Sequence, residues 1–192
     1  IAGGRGRRAL VNRPTLSQSF EQHVSFSVWA ARAGHTPGAR TLELARRPAS
    51  AAVAAALELK RGAQVYEYQR LRLLDGEPAM IEVAAFIEPV GRLLMDFDLD
   101  VGSVYEQLAE RGIEFAEAHQ TISATAATSS QAELLAVPRR SPLLEVRRHV
   151  FDPAGTPIEL SYDSYRGDTF TVSLHNRVSV ERAGVSLSAS GG

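Results

Sequence analysis

Hydrophobic and polar positions follow the same scheme along two stretches of the chain. The first, VYEYQRLRLLDGEPAMIEVAAF (Val65 to Phe86), is a strand-forming run, an Asp-Gly turn, a Pro and a second strand with one embedded Glu. The second, LLEVRRHVFDPAGTPIELSYDSY (Leu143 to Tyr165), repeats the plan. β-branched and aromatic residues favour strands, and Asp75-Gly76 is a strong hairpin signal. Each hairpin follows a short helical stretch, PASAAVAAALELKRG before the first and TSSQAELLAVPRRSP before the second. A duplicated helix-then-hairpin unit with charges inside apolar strands predicts a sheet that binds something small and charged.

The remaining elements are read in the same way. Ser17 to Ala33 carries Phe20, Val24, Val28 and Ala31 near helical spacing, with Gly34 as a stop signal. The internal HVSFSVW leaves two readings open, one long helix or a loop followed by a short one. Ala39 to Arg47 alternates as a strand. Ser50 caps an Ala-rich helix expected to end near Gly62. GSVYEQLAERGI places Val104, Leu108 and Ile113 on one helical face, with Gly112 closing it, and FAEAHQTISATAA reads as a long strand. Thr128 followed by Gln131 is a capping-box start for a helix ended by Pro138. TFTVSLHNRVSV supplies a final strand. About six strands and three or four helices, with neighbouring strands joined by hairpins, predict an α+β domain. The sheet should be mostly antiparallel, with helices on one side.

Composition narrows the function. The chain has 192 residues, 44% hydrophobic and 22% charged, ordinary for one globular domain. Its formal net charge of −1 does not suit a general clamp on nucleic-acid phosphates. The absence of cysteine excludes disulfides and thiolate metal sites and suits a reducing, cytoplasmic compartment. No apolar run approaches a membrane span, and no signal peptide is visible. The five His are scattered without ligand spacing, so no metal site is expected, and no Gly-rich loop or nucleophile-base arrangement calls for a cofactor or a catalytic residue.

Candidate chemistry lies in the strands. Arg70 and Arg72 are two apart, so their side chains leave one face of a strand. Their forked donors suit phosphate or carboxylate oxygens. Glu82 and Glu159 stand at even offsets from Pro78 and Pro157, so each hairpin aims a carboxylate the same way relative to its own turn. Whether Glu82 shares a face with Arg70 depends on the loop: two residues would separate them, and an odd-numbered loop would unite them. A shared site therefore predicts an odd loop. His119 and Arg147 are further strand residues that could join the cavity.

From about Thr15 to Phe170 the chain resembles the UTRA ligand-sensing domain of GntR-type, HutC-like bacterial transcription regulators. The resemblance is carried by SFSVWAARAG, RLRLLDGEPAMIE, GSVYEQLAERGI, AHQTISA, AELLAVPRRSPLLEVRR and DPAGTPIELSYDSYRGDTF, in that order. GRGRRALVNRP resembles the end of the winged helix-turn-helix that precedes this domain, although Arg7, Arg8 and Ala9 depart from the usual wing pattern. The resemblance implies a chorismate-lyase-like fold and a homodimer formed through this domain. Operator DNA would be bound by an N-terminal domain outside this chain. It divides the chain into a linker and wing remnant (1–14), the sensing domain (15–180) and a disordered tail (181–192).

As the resemblance implies, an aromatic-Ser pair after the first helix falls on Phe26 and Ser27, and the phosphate-gripping arginines on Arg70 and Arg72. A return-strand Glu falls on Glu82 and a Ser at the middle helix on Ser103. The late hairpin strand contributes Glu159 and Tyr165. The segment after Ser27, VWAARAG, lacks the acidic residue that amino-sugar sensors often carry there. The leading expectation is a non-enzymatic sensor of a small anionic metabolite, possible ligands including phosphosugars. The alternative is a chorismate-lyase-like enzyme acting on a small carboxylate. A ligandless dimerisation module would instead require Arg70, Arg72, Glu82 and Glu159 to pair among themselves.

Overall fold

Three serines and a threonine decide where four helices begin. Their side-chain oxygens accept N–H bonds from the first helical turn: Ser25 from Val28, Ser50 from Val53, Ser103 from Glu106 and Thr128 from Gln131. Each such cap contributes about 1 kcal/mol. At Thr128 the cap is reciprocal, because the Gln131 side chain accepts the Thr128 N–H at 3.0 Å.

The computed structural model describes residues 16–19 and 25–173. In chain order these form β1 (Leu16–Ser19), α1 (Phe26–Arg32), β2 (Pro37–Pro48), α2 (Ala51–Ala56), β3 (Gln64–Leu74) and β4 (Glu77–Ile87). Then come α3 (Glu88–Gly91), a 3-10 turn (Arg92–Asp96), α4 (Val104–Glu110), β5 (Glu117–Ala126), α5 (Ser129–Leu134), β6 (Pro142–Phe151), β7 (Pro157–Arg166) and β8 (Phe170–Ser173). Over Ser17 to Ala33 the structure has a strand and a short helix rather than one long helix. The expected wing remnant and the C-terminal tail lie outside the described residues.

Two helices stop earlier than their sequences suggest. Past α2, Glu58 takes a φ of 53°, and past α5, Ala136 takes 52°. Both occupy the left-handed conformation that ends a helix, a place usually left to Gly. Neither Gly62 nor Pro138 is needed as the stop.

Six strands form one sheet in the order β2-β3-β4-β7-β6-β5, every neighbouring pair antiparallel. Helices lie against both faces, not one. On one face, α3, α4 and the 3-10 turn cover Tyr68, Phe86 and Val150, while α1 covers Met80, Tyr165 and Phe170. On the other, α5 covers Leu71, Ile81 and Leu143, and α2 with Leu57 covers Val65 and Leu160. The reason is visible in β7, where Pro157 through Ser161 are all buried. A strand buried on both sides needs a cover on both sides.

A separate pair, β1 and β8, runs parallel, with Leu16 opposite Phe170. It ties the N-terminal segment to the end of the sheet. Among the described residues no helix is long and apolar enough to cross a membrane.

Candidate functional site

The first hairpin turns on two residues. Asp75 and Gly76 have φ of 51° and 84°, the paired left-handed geometry whose twist matches the flanking strands. Leu74 faces Glu77 directly across this turn. A plain ladder from it would set Arg70 opposite Ile81 and send Glu82 to the far face. The register instead shifts between Arg72 and Leu73, where Ala79 is the extra residue on β4, so Arg72 faces Met80 and Arg70 faces Glu82. The shared face is real, and the expected odd-numbered loop is not. A bulge in the strand supplies the odd residue.

Arg70, Arg72 and Glu82 are all buried. Arg70 donates from Nη2 to Glu82 Oε2 at 2.7 Å and from Nη1 to the Leu99 carbonyl at 2.5 Å. Arg72 reaches the same Oε2 at 3.4 Å and donates to Ser27 Oγ at 2.7 Å. Ser27 in turn donates to the Gly102 carbonyl at 2.8 Å, just before the cap of α4. Tyr68 donates to the other Glu82 oxygen at 2.6 Å. The Arg72 guanidinium lies over the Phe26 ring, 4.7 Å from its centroid. Phe26 and Ser27 thus act from the first turn of α1, not from a loop.

A second charged group lies beside the first. Asp163 on β7 is the register partner of Glu82. Arg148 on β6 donates to Asp163 Oδ2 at 2.8 Å. Four residues back along β7, Glu159 accepts the Tyr105 hydroxyl at 2.6 Å. Phe26, Arg70, Arg72, Glu82, Ser103, Tyr105, Arg148, Asp163 and Tyr165 enclose a cavity of about 20 Å³. That is room for about one water-sized group.

Burial and charge act against each other here. Burial would raise Glu82, but the Arg70 and Arg72 guanidiniums outweigh it and hold its carboxyl well below the usual range. Arg72 is lowered by burial and by Arg70 beside it, despite Glu82. Burial raises Glu159 to about 7, against the pull of Arg148 and the Tyr105 hydrogen bond. Asp163 is also raised, by burial foremost and by the Glu82 charge, although Arg148 opposes the shift.

The structure brings together Phe26, Arg70, Arg72, Glu82, Ser103 and Tyr165 around the cavity, with Ser27 behind them on Arg72. Glu159 is buried on the same sheet face but covered by Tyr105. Arg147 and His119 do not join them. Both are exposed on the opposite face, and His119 pairs with Glu117. Sequence reasoning missed Tyr68, Tyr105, Arg148 and Asp163. A signal for Arg148 was present, since it stands in phase with apolar Val146 and Val150, whereas Arg147 is in phase with Glu145 and His149. Asp163 likewise keeps the phase of Glu159. Among the described residues no group of three or more His, Asp or Glu could hold a metal ion.

The model of one protein family, the UTRA domain, matches residues 32–171. The chain belongs to the UTRA family. It is 26% identical over 168 residues to the HTH-type transcriptional repressor NagR of Bacillus subtilis (strain 168), covering 87% of this chain and 69% of that protein. It is 29% identical over 176 residues to the HTH-type transcriptional repressor PhnF of Mycolicibacterium smegmatis, covering 89% of this chain and 70% of that one. The crystal structure of PhnF from Mycobacterium smegmatis superposes with a TM-score of 0.81 at 25% identity, covering 92% of this chain and 78% of PhnF. This UTRA chain is accordingly an effector-binding domain of the kind carried by GntR-family transcription regulators, with a regulatory rather than an enzymatic role.

Proposed function

We propose that the cavity binds a small metabolite through an anionic group, a phosphate ester such as a phosphosugar fitting best, and that binding modulates an N-terminal DNA-binding domain. One observation carries the reading: two buried guanidiniums share a single Glu82 oxygen, at 2.7 and 3.4 Å. One carboxylate cannot neutralise two cations, and Arg148 with Asp163 adds no net charge. A ligand anion meets that excess, and arginine forks match phosphate oxygens in pairs. Phe26, Ser27, Ser103 and Tyr165 would shape the cavity around it, and Glu159 would act behind Tyr105.

The tightness of the cavity favours a sensing role. An occupant larger than a water must displace the first turn of α1 or Tyr105 on α4. Binding then has different affinity for the closed and opened arrangements, the condition for a ligand to shift an equilibrium. In this reading the domain forms a homodimer in the cytoplasm, matching a two-fold operator. Operator contacts would come from the winged helix and not from this chain.

Isothermal titration with inorganic phosphate and a panel of phosphate monoesters tests the site. Arg72→Ala should weaken binding at least about 30-fold, from roughly 2 kcal/mol for one partner of a buried charge contact. In a full-length regulator, Arg70→Ala should abolish the effector response and leave ligand-free operator binding intact. Unchanged titration by the Arg72 variant would rule the arginine pair out as the anion site.

A further inference from the structure

We propose that Arg148 and Asp163 form a second recognition element in the cavity, one that reads a hydroxyl group on the ligand held by Arg70 and Arg72. The proposal rests on the anion-site reading above and adds the chemistry at the other end of the ligand.

The pair is buried and incompletely satisfied. Arg148 is 6% exposed and Asp163 2%. They share one hydrogen bond, Nη2 to Oδ2 at 2.8 Å, where an arginine and a carboxylate often make two. Arg148 Nε and Asp163 Oδ1 are left without a protein partner, and both residues line the cavity. Buried polar atoms are nearly always paired, and an unpaired one costs about 1–3 kcal/mol. Two on one ion pair, one a donor and one an acceptor, point to an occupant that supplies both.

Charge selects among occupants. A ligand ammonium would meet Asp163 Oδ1 but face the Arg148 guanidinium. A second ligand anion would meet Arg148 but face Asp163, with Glu82 on the adjacent strand directly opposite it. A neutral hydroxyl donates to Oδ1 and accepts from Nε with one atom and no repulsion. The Glu82–Asp163 rung also sets the spacing. Facing residues on adjacent antiparallel strands have Cα atoms roughly 4.5–5.5 Å apart. The hydroxyl therefore belongs on a carbon close to the anionic group, as in a polyol phosphate.

The test titrates this chain with inorganic phosphate, n-propyl phosphate and glycerol 3-phosphate. The last two have the same carbon skeleton and differ in hydroxyls. Wild type should bind glycerol 3-phosphate at least about tenfold more tightly than propyl phosphate, as expected for a charge-assisted hydrogen bond. The double variant Arg148→Met/Asp163→Leu removes both charges at similar volume, a replacement that folded proteins tolerate better than loss of one partner. It should bind the two esters with equal affinity, the preference lost. Equal binding of the two esters by wild type overturns the proposal and leaves the anion site standing, with a water serving the pair. A preference that survives in the double variant also overturns it. Should none of the three compounds bind wild type, the anion site falls and this inference with it. If the double variant does not fold, the wild-type comparison decides alone, with the near-isosteric Asp163→Asn expected to narrow the preference.

Discussion

Arg70 and Glu82 stand directly opposite each other across the β3–β4 ladder, and their side chains meet at 2.7 Å in a fully covered part of the sheet. Nothing in the turn between them produces this. The two-residue turn by itself would have put them on opposite faces, and the extra residue Ala79 cancels that parity. The floor of the cavity therefore depends on a bulge placed three residues from the carboxylate it aims.

Deleting Ala79 should consequently be tolerated, because without the extra residue the plain ladder from the two-residue turn still sets Arg70 opposite Glu82. Inserting one residue after Ala79 should not be. With the one-residue bulge kept, Ile81 comes opposite Arg70 and Glu82 turns toward α5, or the ladder breaks. Either outcome buries unpaired charge, so the insertion should lower the melting temperature sharply or prevent folding. Circular dichroism melting is the check, with Ala79→Ser as a control expected to stay close to wild type. An insertion variant as stable as the control would show that the register is not set at this bulge.

Removing one partner of the buried pair should be costly for the same reason. Glu82→Leu leaves two buried guanidiniums, Arg70 and Arg72, without their shared carboxylate. A loss of about 3–5 kcal/mol is expected in urea unfolding, and Arg70→Met/Glu82→Leu, which strands Arg72 alone, should recover part of it. Equal destabilisation by the single and double variants would mean that packing, not the stranded charge, is responsible.

Stability should fall as pH rises through the neutral range. Glu159 has an ordinary value of 4.5 and is raised by burial to about 7. Between those values the folded protein holds a proton that the unfolded chain has released, so each step upward favours unfolding. The effect amounts to roughly 3 kcal/mol across the window and levels off above it. Glu82 acts in the opposite direction. Its carboxyl is depressed, so its contribution is present above the unfolded value of 4.5 and lost at lower pH. The melting temperature should thus be higher near pH 5 than near pH 7.5. Glu159→Gln, neutral throughout, should flatten the decline, and an unchanged slope in that variant would assign it to another group.

Occupancy of the cavity should be felt at the N-terminal strand. Tyr165 lines the cavity and stacks on Phe170 with ring centroids 4.0 Å apart, and Phe170 begins the strand that pairs with Leu16–Ser19. If phosphate binds, hydrogen exchange at the β1–β8 amides should slow, and Phe170→Ala should remove that response while phosphate binding persists. Protection confined to the cavity walls would exclude this route.

Much of the domain was legible in the residues alone. The Ser and Thr caps, the Asp75-Gly76 turn, the two hairpins and the α+β class follow from interactions within a few positions of one another, which a linear pattern records. Even Arg148 is marked by its phase between Val146 and Val150. What the sequence by itself did not determine lies across strands. The bulge at Ala79, the rung joining Glu82 to Asp163, the covering of both sheet faces and the seating of Phe26 and Ser27 over Arg72 appear only in the folded chain. Alternation tells which residues of one strand share a face, but a shift of one residue against the neighbouring strand moves that whole set to the other side. Only packing on both faces of the sheet, which penalises a buried charge without its partner, selects the register that gathers three arginines, Glu82 and Asp163 around one cavity.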